Sequence, residues 1–340
     1  MKALAVTAAL ALVCAPASAE PCLRGVNVAG AEFGSLPGKA DTDYVYPTEA
    51  ALKRIARDGA TAIRLPFRWE RLQPKLGEAF DKAELKRLTG ALDAAERAGL
   101  VVVLDPHNYA RYGDTLIGTP GVSVAQFAEF WSRLAKTFKA RPTLVFSLMN
   151  EPHGIHAADW AKAANAAIDA IRKTGALNFV LVPGTAWTGA HSWSSDLETG
   201  RNDREMLAVS DPLGRMAFDV HQYLDADFSG RSADCPAAER AIKAIDDVSG
   251  WLKANGKRGF LGEVGASSRP ECVAALKTIV ERVNASPELW IGWTAWSAGA
   301  WWPKDYIFNL EPTAKGDAPQ MAALKPLMAD GAACDLSGRP

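Results

Sequence analysis

The sequence predicts an α/β fold, a single (β/α)8 barrel of the TIM type, from three observations. Eight short runs are apolar and rich in β-branched residues, helical stretches separate them, and no linker or internal repeat interrupts the series. Such nearly continuous hydrophobicity is expected of parallel strands that are buried on both faces. The runs span residues 25–29, 62–67, 101–106, 144–149, 179–183, 217–221, 259–262 and 290–296. Strands that alternate with helices in this way predict a closed parallel barrel.

The segments between the runs show helical periodicity. Segments 81–98, 124–139 and 237–255 carry apolar residues at spacings of three and four, which predicts amphipathic helices. Gly99 and Gly256 follow two of them, where a left-handed residue commonly ends a helix. A doubly wound sheet is the competing fold, but it would open with a glycine-rich turn that leads directly into a helix. The sequence after residue 30 lacks that pattern, so we expect residues 20–340 to form one barrel domain.

The overall charge excludes two classes of partner. The chain has 38 Lys and Arg against 39 Asp and Glu, a formal net charge of −1. It therefore has no basic surface for nucleic acid and no polybasic anchor for an anionic membrane. Beyond the N-terminus, no run reaches the roughly 18 apolar residues that a membrane-spanning helix needs. We expect a monomer, although a net charge near zero also permits self-association.

The first nineteen residues have the three parts of a secretory signal peptide. Lys2 supplies the positive charge, residues 3–13 are mostly apolar, and Ala17-Ser18-Ala19 forms a small-residue cleavage site. A buried N-terminal helix is the weaker interpretation, and Leu12-Val13 before Cys14 does not suit a lipoprotein. We therefore expect residues 1–19 to be removed and the protein to be secreted or periplasmic.

Cleavage would leave four cysteines, Cys22, Cys235, Cys272 and Cys334. An even number in an oxidising compartment favours disulfides, for which three pairings exist. In the predicted barrel, Cys22 and Cys334 lie where the chain ends meet, whereas Cys235 and Cys272 follow neighbouring strands. We expect the bonds Cys22–Cys334 and Cys235–Cys272. A zinc site is disfavoured, because these cysteines are not closely spaced and no histidine pattern accompanies them.

Polar side chains follow the strands at the C-terminal face, where barrels of this type carry their chemistry. They come from six different strands, which is hard to attribute to chance. These candidates are Arg64, His107, Asn108, Asn150, Glu151, His221, Tyr223, Glu263 and Trp296.

Two carboxylates dominate this set. Glu151 follows the fourth strand and Glu263 the seventh, so they are expected to face each other across the barrel mouth. Glycoside hydrolysis needs such a pair: one acid protonates the leaving oxygen, and the other attacks the anomeric carbon or activates water. The alternative is two unrelated structural ion pairs, since a buried glutamate is costly without a partner.

Aromatic residues near the strand ends add to this interpretation. The chain has 11 Trp, and flat rings suit the C–H faces of sugars while their N–H or O–H groups bond hydroxyls. The candidate platforms are Trp69, Trp187, Trp193, Trp296, Trp301, Trp302, Tyr109 and Tyr112. Helical or strand positions instead predict core packing for Trp131, Trp160, Trp251, Trp290 and Trp293.

The sequence resembles glycoside hydrolase family 5, the retaining cellulase family, from Arg24 to Pro303. The resemblance is carried by Asn150-Glu151-Pro152, Gly262-Glu263, Ile63-Arg64-Leu65-Pro66, Asp105-Pro106-His107-Asn108 and Arg24-Gly25-Val26-Asn27-Val28-Ala29-Gly30. It implies that Glu151 is the acid/base and Glu263 the nucleophile. Matching active-site positions are Arg64, His107, Asn150, His221, Tyr223 and Trp296. Val264 departs from the aromatic residue that many members carry there.

These assignments imply physical roles. Arg64 and the Tyr223 hydroxyl are expected to stabilise ionised Glu263, while apolar surroundings and the Glu263 charge raise the pKa of Glu151. Asn150 is suited to bond the sugar 2-hydroxyl, and the carboxyl groups are expected about 5–5.5 Å apart. The aromatic platforms Trp69, Trp187, Tyr109 and Trp301 complete the predicted substrate site.

The function expected from this resemblance is endo-β-1,4-glucanase activity on soluble or amorphous β-glucan. A mannanase, a mixed-linkage glucanase or a transglycosylase would use the same fold and carboxylates. A catalytically silent sugar-binding barrel is the alternative from another class. No cofactor is expected, and no metal, because His153 and His156 lack a third ligand and the first strand has no histidine.

Overall fold

A computed structural model describes residues 20–329 and 333–334, with side chains described for residues 22–329. Eight parallel strands close into a barrel, each hydrogen-bonded to the next and the last to the first. They are β1 Leu23–Val28, β2 Ala62–Phe67, β3 Val101–Pro106, β4 Leu144–Ser147, β5 Val180–Pro183, β6 Met216–Tyr223, β7 Gly259–Gly265 and β8 Trp290–Ala298. The predicted TIM barrel is confirmed.

The helices cover the outside of the barrel. They are α1 Glu49–Arg57, α2 Lys82–Arg97, α3 Val124–Phe138, α4 Ala157–Lys173, α5 Ala238–Ala254, α6 Pro270–Asn284 and α7 Pro319–Met328. A capping box between Ser123 and Gln126 begins α3, whose apolar face is buried. The connection from β5 to β6 differs from the predicted alternation. It contains only the four-residue helix Asn202–Glu205 and the 3-10 turns Ala186–Thr188, Ala190–Ser192 and Met206–Ala208.

The barrel interior changes from apolar to polar along the strands. One buried layer takes an apolar side chain from every strand and fills the N-terminal half. Its members are Leu23, Ala62, Val103, Val145, Phe179, Leu181, Ala217, Phe260 and Ile291. Side chains two residues apart share one face of a strand, so Asn27, Arg64, Asp105 and Asp219 continue these rows into the C-terminal half. The apolar layer is the floor beneath the polar site.

A bulge on β7 directs Glu263 into this interior. Leu261 pairs with Val220 and Glu263 pairs with His221, so Gly262 is the extra residue. Its carbonyl accepts hydrogen bonds from Asn27 Nδ2 at 2.9 Å and Thr294 Oγ1 at 2.6 Å. A Cβ at position 262 would lie 2.2 Å from Asp219 Oδ1, so only glycine fits there.

The predicted disulfide between Cys235 and Cys272 is confirmed, with a Cα–Cα distance of 5.7 Å. At the opposite face, the backbone of Glu20–Pro21 pairs antiparallel with Ala333–Cys334. The Cys334 side chain lies outside the described ones, so the Cys22–Cys334 bond stays a prediction. The predicted signal peptide, residues 1–19, also lies outside the described residues. In the part of the chain that the structure describes, the helices are too short or too polar to cross a membrane.

Candidate active site

Glu263 accepts hydrogen bonds from two donors. Arg64 Nη1 donates to Oε1 at 2.8 Å and Tyr223 Oη donates to Oε2 at 2.6 Å. Burial, followed by the nearby Glu263 charge, raises the pKa of Tyr223 well above its ordinary value. The tyrosine therefore stays protonated and can only donate, as predicted for a residue that stabilises this carboxylate.

The Arg64 guanidinium is the centre of the polar network. It is fully buried, donates to Asn150 Oδ1 at 2.7 Å and Asn27 Oδ1 at 2.9 Å, and forms an ion pair with Asp105 Oδ2 at 2.9 Å. Burial alone would lower its pKa, but the carboxylates of Asp105 and Glu263 raise it. Arg64 is thus a fixed positive charge that orients four acceptors from different strands.

Glu151 lies in a different environment from Glu263. Its backbone is left-handed, with φ 39°, a strained conformation for a non-glycine residue that the surrounding structure must hold. Its Oε1 lies 2.8 Å from His221 Nδ1, and Arg64 does not reach it within hydrogen-bond distance. Burial raises the pKa of Glu151 to about 7, whereas the charges of His107 and Arg64 lower it. The pKa of Glu151 is therefore raised by burial, as expected. The second expected cause, the charge of Glu263, is replaced by the charge of Asp105.

The two carboxylates share one histidine. His221 Nδ1 lies 2.8 Å from Glu151 Oε1 and 3.7 Å from Glu263 Oε2. One oxygen of each carboxylate and this nitrogen all lie within 4.8 Å of one another. Burial lowers the pKa of His221, which keeps its ring neutral and able to donate or accept a proton at Nδ1. Although such a trio can ligate a metal ion, Arg64 already supplies a positive charge to Glu263.

His107 and Trp296 form one wall beside this pair. His107 Nδ1 lies 2.9 Å from Asp105 Oδ2, and its ring stacks on Trp296 with centroids 5.9 Å apart. Burial lowers the pKa of His107, but the hydrogen bond and charge of Asp105 raise it above its ordinary value. Trp296 Nε1 donates to Tyr306 Oη at 2.9 Å, which fixes the indole.

Two of the predicted aromatic platforms are wrong. Trp69 is fully buried, packs edge-on against Tyr112 and donates its Nε1 hydrogen to Gln73. Trp193 is only 1% exposed and packs between Phe218 and Trp251. Both belong to the core, because short helical turns after β2 and β5 direct these side chains beneath the loops.

Four of the other predicted platforms lie in two exposed or half-buried groups, whereas Trp296 is buried and Tyr112 packs on Trp69. Trp187 is 54% exposed and stacks on His153 at 4.6 Å, and Tyr109 also contacts that histidine. Across the barrel, Trp301 stacks on Phe33 at 5.3 Å, and Trp302 stacks on Tyr306 at 3.8 Å. The four core tryptophans Trp131, Trp160, Trp290 and Trp293 are buried as predicted, and Trp251 is half-buried.

Several residues of the site were missed at the sequence level. Asp105 and Asp219 each precede a predicted histidine by two positions, a spacing that places both side chains on one strand face. Asn27 lies on β1 inside the barrel, and this alternation would have found it too. Glu32 follows β1 in a loop, where no strand pattern indicates its direction. Each of the four is at most 3% exposed.

Comparison with known proteins agrees with this geometry. The family model described as cellulase (glycosyl hydrolase family 5) matches residues 23–299. The chain belongs to this family. It is therefore a glycoside hydrolase.

Two curated relatives and a solved structure are similar to this chain over most of its length. Endoglucanase gh5-1 of Neurospora crassa is 35% identical over 85% of this chain and 72% of its own length. Endo-beta-1,4-glucanase B of Emericella nidulans is 33% identical over 85% of this chain and 86% of its own. The crystal structure of the endo-beta-1,4-glucanase Xac0029 from Xanthomonas axonopodis pv. citri is 42% identical, with a TM-score of 0.88 over 91% of this chain and 98% of that one.

The corrected role of Trp69 can be tested by stability. We predict that Trp69→Ala lowers the free energy of unfolding of this family 5 enzyme by about 3–5 kcal/mol, because it leaves a cavity in the core. Trp187→Ala, at an exposed site, should change it by less than about 0.5 kcal/mol. Urea denaturation of both variants measures the difference. If the two variants were equally stable, Trp69 would have to be reassigned to the surface.

Proposed function

We propose that this protein is an endo-β-1,4-glucanase that cleaves internal bonds of cellulose-like chains with retention of configuration. The observation that carries the proposal is the pair of carboxylates Glu151 and Glu263, which have oxygens within 4.8 Å of each other. Glu263 accepts from Arg64 and Tyr223, whereas Glu151 contacts His221. Retaining enzymes have carboxyl groups about 5–5.5 Å apart, whereas inverting enzymes need about 6.5–9.5 Å to admit a water molecule. Relatives named endo-β-1,4-glucanases support the substrate class.

In the first step, Glu263 attacks the anomeric carbon as the glycosidic C–O bond breaks. The bonding electrons of that C–O bond pass to the leaving oxygen, which takes the proton of Glu151. Arg64 and Tyr223 donate to the two oxygens of Glu263, which orients this carboxylate toward the anomeric carbon. A pKa of about 7 keeps Glu151 protonated in mildly acidic solution, so that it can supply this proton.

In the second step, water hydrolyses the glycosyl ester. Glu151, now ionised, takes a proton from water while the oxygen of that water attacks the anomeric carbon and displaces the Glu263 carboxylate. Arg64 and Tyr223 stabilise the charge that returns to Glu263. His221 Nδ1, between the two carboxylates, can bond Glu151 in either protonation state because a neutral imidazole nitrogen either donates or accepts.

Asn150 supports the transition state from the side of Arg64. Its Oδ1 accepts from Arg64, which leaves Nδ2 to donate, and Nδ2 has no partner among residues 22–329. A buried donor without a partner is costly, so a ligand that accepts from it binds favourably. The proposed acceptor is the sugar 2-hydroxyl, whose hydrogen bond strengthens as oxocarbenium character develops.

The two aromatic groups give the proposed substrate path. Tyr109 and Trp187 pack on His153, and their backbone N–H groups donate to the carbonyls of the two residues that flank Glu151. This group is proposed to bind the leaving sugar, which Glu151 protonates. Phe33 and Trp301 lie across the barrel mouth. A path that continues past the carboxylates in both directions accepts internal bonds of a chain, and the XacCel5A structure with cellopentaose is a similar fold that holds such a chain.

The wider assignment rests on the sequence. A secreted or periplasmic location is proposed from residues 1–19, and one barrel domain from the continuous alternation of strands and helices. The substrate is proposed to be soluble or amorphous β-glucan.

Substrate and chemistry are tested together by reducing-sugar release. We predict that the wild type hydrolyses carboxymethylcellulose, and that Glu263→Gln loses at least about 10³-fold in kcat/KM because an amide cannot act as the nucleophile. β-Mannan and mixed-linkage glucan are assayed in parallel. Activity on mannan alone would replace the substrate but keep the chemistry, and no activity in any assay would favour a sugar-binding barrel.

The stereochemical course has its own measurement. We predict that proton NMR during hydrolysis of cellopentaose shows the β-anomer of the new reducing end first, followed by mutarotation, because two inversions give retention. Initial appearance of the α-anomer would rule out Glu263 as the nucleophile.

The pH dependence follows from Glu151. Its acid form falls as pH rises through about 7, so kcat/KM should decline about tenfold per unit above that value. Glu151→Gln should be much less active and should lack this alkaline limb. Rate profiles with cellopentaose, whose leaving sugar needs that proton, check both. A limb that persists in Glu151→Gln would assign the titration to another group.

A further inference from the structure

A second buried glutamate lies beside the site and has no role in the proposed chemistry. Glu32 is 3% exposed, and its Oε2 accepts from the Gly30 backbone N–H at 2.7 Å. Its Oε1 is buried and has no hydrogen-bond partner among the described side chains and backbone. Burying a carboxylate oxygen without a partner costs free energy, so a feature kept at that cost requires a reason.

The packing of its neighbours places Glu32 beside the substrate cleft. Glu32 accepts from Gly30, which closely follows β1 at the C-terminal face, and the next residue, Phe33, packs on Trp301 and Trp302. Consistent with this position, the charges of Glu32 and His107 shift each other's pKa.

The barrel topology assigns Glu32 to one side of the cleft. Strands β1 and β5 lie opposite each other in the closed order of eight. The loop after β5 carries Trp187, beside the acid Glu151 that protonates the leaving sugar, whereas the loop after β1 carries Glu32. The sugars that remain bonded to the nucleophile consequently extend toward Glu32.

We infer that Glu32 is a substrate-binding residue whose Oε1 hydrogen-bonds a hydroxyl group of a glucose unit on the non-reducing side of the cleaved bond. This inference rests on the proposed function, because it assumes a β-glucan chain along the cleft. A sugar hydroxyl both donates and accepts, so it satisfies Oε1 whether Glu32 is ionised or protonated. Burial raises the pKa of Glu32 to about 7, so both forms exist near neutral pH.

A purely structural glutamate in the same chain has a different pattern. Glu84 is equally buried, at 3% exposed, but its two oxygens accept from Tyr44 Oη at 2.6 Å and Tyr46 Oη at 2.9 Å. It lies near the N-terminus of α2, outside the barrel, and accepts further from Arg87. Full pairing within the protein distinguishes Glu84 from Glu32, and makes Glu84 the matched control.

The experiment compares Glu32→Leu, Glu32→Gln and Glu84→Gln by two readouts. Calorimetry in the Glu263→Gln background measures the Kd for cellopentaose, and steady-state kinetics with Glu263 intact measure the KM for para-nitrophenyl β-cellobioside. We expect Glu32→Leu to raise both values about tenfold and Glu32→Gln to stay within about threefold of the parent, because the amide still bonds a hydroxyl. Glu84→Gln should lower the melting temperature and leave both values unchanged.

The outcomes separate the inference from the function on which it rests. Unchanged Kd and KM in Glu32→Leu would overturn it and assign Oε1 to a structural water molecule. A changed Kd with an unchanged KM would also overturn it, because it would place Glu32 on the leaving-group side. If Glu32→Leu does not fold, Glu32→Asp, which withdraws the carboxylate by one methylene, must raise both values. Failure of the parent to bind cellopentaose at all would instead refute the glucanase proposal.

Discussion

The buried Arg64 guanidinium is the interaction on which the rest of the site depends. It bonds side chains from β1, β3, the end of β4 and β7, so its geometry ties these strand ends together. A buried cation is unfavourable without partners, and these acceptors offset that cost only while all of them stay in place. The same contacts orient Glu263, the proposed nucleophile, and the Asn150 amide. The same contacts therefore pair the buried charge of Arg64 and position the reactive groups.

The position of Arg64 also distinguishes the environments of the two glutamates. Glu263 receives a hydrogen bond from the guanidinium, whereas Glu151 feels Arg64 only as a more distant charge and keeps a raised pKa of about 7. The asymmetry comes from the backbone, because the bulge at Gly262 directs Glu263 inward and the left-handed conformation of Glu151 directs that residue toward His221.

The sequence was sufficient for the barrel and for the polar residues at its strand ends, because parallel strands in a barrel end on one face. It also placed Cys235 beside Cys272. It was not sufficient where direction depends on local backbone detail. Trp69 follows a strand as a platform would, yet a short helical turn buries it. Glu32 lies in a loop without periodicity, so only its burial and its unpaired oxygen distinguish it from a surface glutamate.

Several buried polar atoms in and beside the site have no hydrogen-bond partner. Among the described residues these include Asn150 Nδ2, Glu32 Oε1 and His221 Nε2, while the layer below them is apolar and buried. Polar atoms left unpaired in the folded protein lower its stability. The same atoms are preorganised for hydroxyl groups and for charge that develops during reaction, where no rearrangement is then required. The apolar layer and the Arg64 network keep these atoms in place. Burial of apolar side chains in the N-terminal half of the barrel thus offsets the cost of the unpaired polar atoms at the site.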